Sequence, residues 1–288
     1  MGDRVAFVTG AGSGIGRACA AALAERGIDV VAGVLDDAER QAVLDRRDPV
    51  AAVIPFDVGS EASVREGIAA AAPHLDGRRL VGVVNSAGIA VAGPLELLPD
   101  EELRRQFDVN VFGLMSVTRQ LIGRLRESGG RIVQLGSVGG RLAVPFNGAY
   151  SGSKFAVRAL SDALRVELAP HGIHVALVEP GPIATSIWQT SVARARRLLE
   201  RLGPRADELY GEQIARVFEA TAATERSAIG ADHVANVVTH AILHPRPKAQ
   251  YLVGKAAWMQ AAVSELPAPL RDRVLRSVFR FATRPRAS

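Results

Sequence analysis

A short apolar run, Val5-Ala-Phe-Val-Thr9, passes directly into Gly10-Ala-Gly-Ser-Gly-Ile-Gly16 and then into the Ala-rich stretch Arg17 to Arg26. Strand, glycine turn and helix in that order constrain the chain more than any other feature. This is the context in which backbone can approach a pyrophosphate closely while a helix N-terminus offers unpaired N–H groups and a favourable dipole. The expected phosphate contacts come from Gly10, Ser13, Gly14, Ile15 and Gly16.

The same alternation continues. Asp29 to Leu35, Val50 to Phe56, Leu80 to Val84, Gly130 to Leu135 and Ile173 to Val178 read as strands, with helical patterns between them and Gln250 to Val253 as a last strand. Such alternation predicts an α/β protein with a doubly wound parallel sheet, a Rossmann fold. Ligands of these folds bind at strand carboxyl ends. There the sequence places Asp36 and Asp37 after the second strand, Asp57-Val58 after the third and Asn85-Ser-Ala87-Gly88 after the fourth. An acid after the second strand accepts from an adenosine ribose 2′-hydroxyl and favours NAD over NADP. The competing role for Asp36 and Asp37 is to cap the next helix. Ser60 reads as the N-cap of a helix running to Ala72.

Pro99 to Arg126 has long helical periodicity, interrupted by Asp108-Val-Asn-Val-Phe-Gly113. Asparagine and glycine there oppose helix propensity, and such local violations are expected at functional sites, although a kink kept for packing is the plainer explanation. Further on, Ser137 precedes Tyr150 by thirteen residues, and Lys154 follows Tyr150 at i+4. On a helix the last two share a face, with Cβ atoms roughly 5–6 Å apart. A neighbouring ammonium stabilises a phenolate, so Lys154 is expected to lower the Tyr150 pKa and make the phenol a general acid/base. The tetrapeptide alone would also suit a surface pair.

Bulk properties bound the alternatives. The 288 residues, 48% hydrophobic and 23% charged, suffice for one large α/β domain. We expect a catalytic unit over 1–254, with a helical lid over 186–230, and a basic helical extension over 255–288. From Tyr251 onward seven Lys/Arg face only Glu265 and Asp272, so the net charge of +5 belongs to the tail, and a nucleic-acid partner is not expected. In that tail Leu270, Val274, Val278 and Phe281 form one helical stripe bordered by Arg271, Arg273, Arg276 and Arg280, able to cover the pocket or a partner subunit or to lie weakly on anionic lipid. No apolar run reaches the roughly 18 residues of a spanning helix. The single cysteine, Cys19, suits a reducing compartment, and with no leader ahead of Val5 the cytoplasm is expected. The six histidines show no ligand spacing, so no metal is expected.

With these pieces in order, the sequence resembles the short-chain dehydrogenase/reductase family from about Val5 to Val253. Thr9 to Gly16 matches the family's TGxxxGIG loop, and Asn85-Ser-Ala-Gly88 is similar to its NNAG segment, departing at Ser86. Asn110, Ser137, Tyr150 and Lys154 fall on its four catalytic positions. Pro180, Gly181 and Thr185 match the loop that holds the nicotinamide carboxamide, to which Ile183 is added. Val31 to Leu35, Val178 to Gly181 and Tyr251 to Gly254 are similar to the retinol, hydroxysteroid and 3-hydroxybutyrate dehydrogenase branch.

The resemblance implies an NAD(P)-dependent dehydrogenase acting on a secondary or primary alcohol, with Tyr150 exchanging the hydroxyl proton and Ser137 orienting the oxygen. It gives Lys154 the nicotinamide ribose and Asn110 a bound water, and Asn85, Ala87 and Gly88 a place against the cofactor. NAD is favoured, NADP open. Val138, Val144, Phe146, Ile183, Ile187 and Trp188 imply an apolar pocket for a steroid, retinoid or other lipophilic alcohol or ketone. A homodimer or homotetramer is expected. The alternatives are an NADPH-dependent carbonyl reductase and a non-catalytic dinucleotide-binding regulator.

Overall fold

The computed structural model describes residues 2–281. Seven strands form one all-parallel sheet: β1 (Arg4–Thr9), β2 (Asp29–Val34), β3 (Ala52–Pro55), β4 (Arg79–Asn85), β5 (Arg131–Leu135), β6 (His174–Pro180) and β7 (Gln250–Val253), in the order β3-β2-β1-β4-β5-β6-β7. Between them run α1 (Gly14–Ala24), α2 (Asp37–Asp45), α3 (Glu61–Leu75), α4 (Asp100–Phe107), α5 (Leu114–Ser128) and α6 (Gly148–Leu168). After β6 come α7 (Ile187–Leu202), α8 (Pro204–Arg226) and α9 (Ala231–Leu243); α10 (Lys255–Ser264) and α11 (Ala268–Val278) follow β7. The doubly wound expectation is met.

Register explains where a ligand can sit. Thr9 stands opposite Gly33 on one side and Asn85 on the other, and the row continues through Gln134, Leu177 and Gln250. Everything just beyond this row lies on the carboxyl rim of the sheet. Chain order reverses between β1 and β4, which opens a crevice there.

Both faces of the sheet are covered. One carries α1 and α9, with Cys19, Leu23, Val234 and Val238 against Val30, Ala32, Val84 and Val133. The other carries α3, α5 and α6, with Val64, Leu75, Val117, Leu121, Leu125 and Leu168 against Phe7, Val31, Val83 and Ile132. Strands buried on both faces are dominated by apolar residues, as these are, and the buried polar ones, Thr9, Asn85, Gln134 and Glu179, stand near the carboxyl rim. Trimming Leu121 to Ala would cost about 2–5 kcal/mol. Cys19 is a core thiol, and burial pushes its pKa up to about 12.

Departures from the sequence reading have local causes. The first helix begins at Gly14 rather than Arg17, because glycines in a first turn leave its N–H groups open instead of weakening an interior. The interruption at Asp108–Gly113 is one π-helical turn between α4 and α5. A Cβ on Gly113 would lie 2.1 Å from the Val58 carbonyl oxygen, so glycine lets the loop after β3 press against this turn. The segment expected as a lid is two helices broken at Gly203, whose φ of 66° suits glycine, with Pro204 opening α8. The tail helix α11 ends at Val278, so Phe281 lies beyond it; Arg284 and Arg286 lie outside the described residues.

Candidate active site

The carboxyl rim of β1 builds a cradle. Gly10 and Gly14 have positive φ, and a Cβ on Gly10 would sit 2.8 Å from the Ala87 Cα. One on Gly16 would sit 2.1 Å from the Gly10 carbonyl oxygen. Thr9 ties the two rims together, its Oγ1 accepting from the Ser86 and Ala87 N–H groups at 3.1 Å each. Ser13 is the extended N-cap of α1, yet its side chain makes no capping bond. A turn that excludes side chains and ends on open helix N–H groups fits a dinucleotide pyrophosphate.

Next to the cradle, the acid facing the cleft at the tip of β2 is not Asp36. Its carboxylate caps α2, accepting from the Glu39 N–H at 2.8 Å, and it does not line the cavity. Glu39 does: its Oε2 accepts from the Leu35 N–H at 2.9 Å and lies where a Cβ on Gly12 would be 2.6 Å away. The sequence reading missed Glu39 because it stands four residues past the first acid candidate's strand. Once Asp36 is taken as N-cap, Glu39 falls at the third helical position, where such acids fold back over the helix start.

Two other residues expected in the site stand behind it. Asn85 is buried, donating to Thr118 Oγ1 at 2.8 Å and Gln134 Oε1 at 2.9 Å, so its side chain joins β4 to β5 and α5 rather than facing a cofactor. Asn110 accepts from the Ile89 N–H at 2.9 Å and donates to the Ile89 carbonyl and to Ser153 Oγ, each at 3.0 Å. Its amide is committed to pinning the strand-to-helix connection onto α6. The buried Gln106, unremarked in the sequence, pins the same connection by accepting from the Val91 N–H at 2.7 Å.

The remaining candidates converge. Gly10, Ser13, Gly14, Ile15, Gly16, Asp57, Val58, Ala87, Gly88, Ser137, Tyr150, Lys154, Pro180, Gly181, Ile183 and Thr185 all line one cavity of about 930 Å³. Ser137 leaves β5 and accepts from the Gly139 N–H at 3.0 Å; the Tyr150 ring lies against Gly139, 3.3 Å from where a Cβ would be. Lys154 is buried one turn along α6. Its Nζ donates to the Leu135 carbonyl at 2.7 Å and stands 5.8 Å from the Tyr150 ring centroid.

The electrostatics correct one expectation. Burial raises the Tyr150 pKa above its ordinary value of 10, with the Ser137 hydroxyl pulling the other way. Burial also lowers Lys154, from 10.5 to about 8. Lys154 does not bring the phenol toward neutrality here, because its ammonium is itself desolvated and bonded to a backbone carbonyl. At neutral pH the phenol keeps its proton.

The apolar half of the cavity is lined by Val138, Val144, Phe146, Ile187 and Trp188, the Trp188 indole donating to the Ile183 carbonyl at 2.7 Å. Phe146 has a φ of 62°, unusual for a non-glycine residue, and its ring packs edge-on against Tyr210 of α8 and Phe281 of the tail. Walls that the motifs did not reveal come from α7, α8, α10 and α11, and from the residue just past α11: Leu199, Phe218, Met259, Val263, Val274 and Phe279. Ordinary helical periodicity conceals them, since one stripe serves a core and a pocket alike. Half of the expected tail stripe, Val274 and Val278, therefore roofs the cavity.

A doubly wound parallel sheet with a pyrophosphate cradle at its switch point, opening onto Ser137, Tyr150 and Lys154, defines an NAD(P)-dependent oxidoreductase. The chain belongs to the short-chain dehydrogenase family, whose model, described as short chain dehydrogenase, matches residues 4–196. It is 33% identical, over 96% of both chains, to an NADPH-dependent 3-dehydrocapnine reductase of Ornithobacterium rhinotracheale. It is 31% identical to human retinol dehydrogenase 16, over 95% of this chain and 88% of that one. Among solved structures it is similar to a short chain dehydrogenase/reductase from Burkholderia phymatum in complex with NAD, with TM-score 0.75, 27% identity and coverage of 91% and 94%.

Proposed function

We propose that the protein interconverts a lipophilic secondary or primary alcohol and its carbonyl compound, with Tyr150 as general acid/base. The observation that carries this reading is Tyr150 beside Ser137 on the wall of a largely apolar cavity that also contains the glycine cradle. A bound nicotinamide dinucleotide would exchange a hydride with the substrate carbon. Gly10 to Gly16 would hold its pyrophosphate, Pro180, Gly181, Ile183 and Thr185 its nicotinamide end. In the reductive direction the Tyr150 phenol gives its proton to the carbonyl oxygen, and the Ser137 hydroxyl holds that oxygen in line. In the oxidative direction the phenolate takes the proton back. Lys154, whose Nζ is 5.8 Å from the Tyr150 ring centroid, would hold the ribose at the nicotinamide end of the bound dinucleotide.

The phenol with its proton in place can serve as the general acid of carbonyl reduction, and the name of the Ornithobacterium relative supports the carbonyl-reductase form of this activity. We assign NAD as the preferred nucleotide, on Glu39 rather than Asp36. General acid/base catalysis contributes typically 10²–10⁴-fold, so Tyr150→Phe should reduce turnover by about that factor and leave nucleotide binding intact. An alcohol and ketone panel run with both nucleotides measures this. Turnover within a few-fold of wild type would refute the role of Tyr150, and nucleotide binding without turnover in wild type would favour the regulator.

We also propose a homodimer or homotetramer in the cytoplasm. The supporting surface is on α6 and the π-helical turn, where Phe155, Val166 and Phe112 are exposed. A monomer in analytical ultracentrifugation, or a membrane-pelleting protein on fractionation, would overturn these assignments. Leu270 and Val278 also leave apolar surface on α11 beside exposed Arg273, Arg276 and Arg280. Weak contact with anionic lipid through this helix predicts co-sedimentation with anionic vesicles that deletion of the tail removes.

A further inference from the structure

Glu179 is a wholly buried acid with no part in the chemistry above. It lies in β6, immediately before Pro180, and Arg141 grips it. The Arg141 Nε is 2.9 Å from each carboxylate oxygen, and Nη2 donates to Oε2. The same Nη2 donates to Gln250 Oε1 of β7 at 2.9 Å, and Gln250 Nε2 donates to Asp162 of α6 at 3.1 Å. Arg158 of α6 adds a second cation, 3.8 Å from Glu179 Oε1.

A carboxylate at this depth is costly unless paired, and a matched apolar pair would fill the space without that cost. What the guanidinium fork adds is fixed geometry. Three segments that need fixing meet here. Arg141 closes the short 3₁₀ turn that starts at Ser137; α6 carries Tyr150 and Lys154; Glu179 adjoins the Pro180 turn. The Ser137 segment contains Gly136, Gly139 and Gly140, residues that leave backbone loose unless something holds it. A Cβ on Gly136 would be 3.3 Å from Glu179 Cγ, and one on Gly140 would be 2.7 Å from the Lys154 carbonyl oxygen, so the glycines let this segment seat directly on the ion pair and on α6.

We propose that the Arg141–Glu179 pair is a positioning device that holds the Ser137 hydroxyl at its working distance from the Tyr150 phenol. The inference rests on the proposed partnership of Ser137 and Tyr150, and it needs no substrate to test. The chain has three tyrosines, Tyr150, Tyr210 and Tyr251, so ¹³Cζ-tyrosine NMR of the full-length protein resolves their titrations, with Tyr150→Phe giving the assignment. Ser137→Ala should raise the Tyr150 midpoint by about half a pH unit or more, through loss of one hydrogen bond to the phenolate. The double variant Arg141→Met, Glu179→Leu removes both charges, so that neither is left buried alone, and should raise the midpoint in the same sense while Tyr210 stays put and the thermal midpoint holds. Arg141→Lys, which keeps the charge but loses the fork, should give a smaller rise and serves if the double variant does not fold. An unmoved Tyr150 in Ser137→Ala overturns the partnership and the inference together. A response to Ser137→Ala with none in the folded clamp variants overturns the positioning role alone.

Discussion

Lys154→Met offers the sharpest test of the site's electrostatics. The ammonium is only 7% exposed, and burial lowers its pKa from 10.5 in an open chain to about 8 in the fold. The folded state therefore binds this proton less tightly than the unfolded state. Below about pH 8 the fold carries the full penalty, about 3 kcal/mol at 1.36 kcal/mol per unit. As pH rises from 8 toward 10.5 the folded state has already released the proton while the unfolded state still holds it, so the penalty shrinks. Linkage over pH 7.5 to 9.5 relieves about 2 kcal/mol of it. Removing Lys154 also strands the Leu135 carbonyl, which it meets at 2.7 Å, but that cost of about 1–3 kcal/mol does not vary with pH. Urea unfolding of wild type and Lys154→Met, without added nucleotide, should therefore show wild type gaining about 2 kcal/mol on the variant across this range. Tyr150 does not interfere, because its raised pKa puts its ionisation above the window. Parallel stability curves, or wild type losing ground as pH rises, would refute a buried lysine with a depressed pKa.

Other consequences are as direct. Glu39→Gln removes the carboxylate placed against Gly12 and Leu35, so the NAD to NADP ratio of kcat/KM should fall by about tenfold, worth about 1.4 kcal/mol; an unchanged ratio would remove Glu39 from nucleotide choice. Gly16→Ala must push a methyl to 2.1 Å from the Gly10 carbonyl oxygen, so nucleotide affinity measured by fluorescence titration should drop by at least about tenfold, and near-wild-type affinity would show that the cradle is not the binding surface. Val274→Trp fills the α11 side of the cavity: KM should rise by about tenfold for a bulky lipophilic substrate and stay level for a small one, and equal effects on both would place the substrate elsewhere.

Much of this protein was legible in one dimension. Apolar runs, period-3.6 patterns and the glycine turn at Gly10 to Gly16 are local, and a strand buried on both faces reads as a mostly apolar run; hence the parallel sheet could be read directly. The interruption at Asn110 and Gly113 was visible for the same reason, since a residue that opposes its own helix marks its position. Tertiary structure decided which way side chains turn and what presses on them. Asp36 and Glu39 are both acids after β2, and only the start of α2 determines that one caps while the other faces the cleft. Asn85 and Asn110 sit where the motif puts them, but neighbours distant in sequence turn both amides inward. The spacing of Tyr150 and Lys154 set their shared helix, whereas their pKa shifts follow from burial, which is a property of everything folded over them. Nor could Arg141 and Glu179 be paired from sequence: they are 38 residues apart and meet only because β5 and β6 lie side by side.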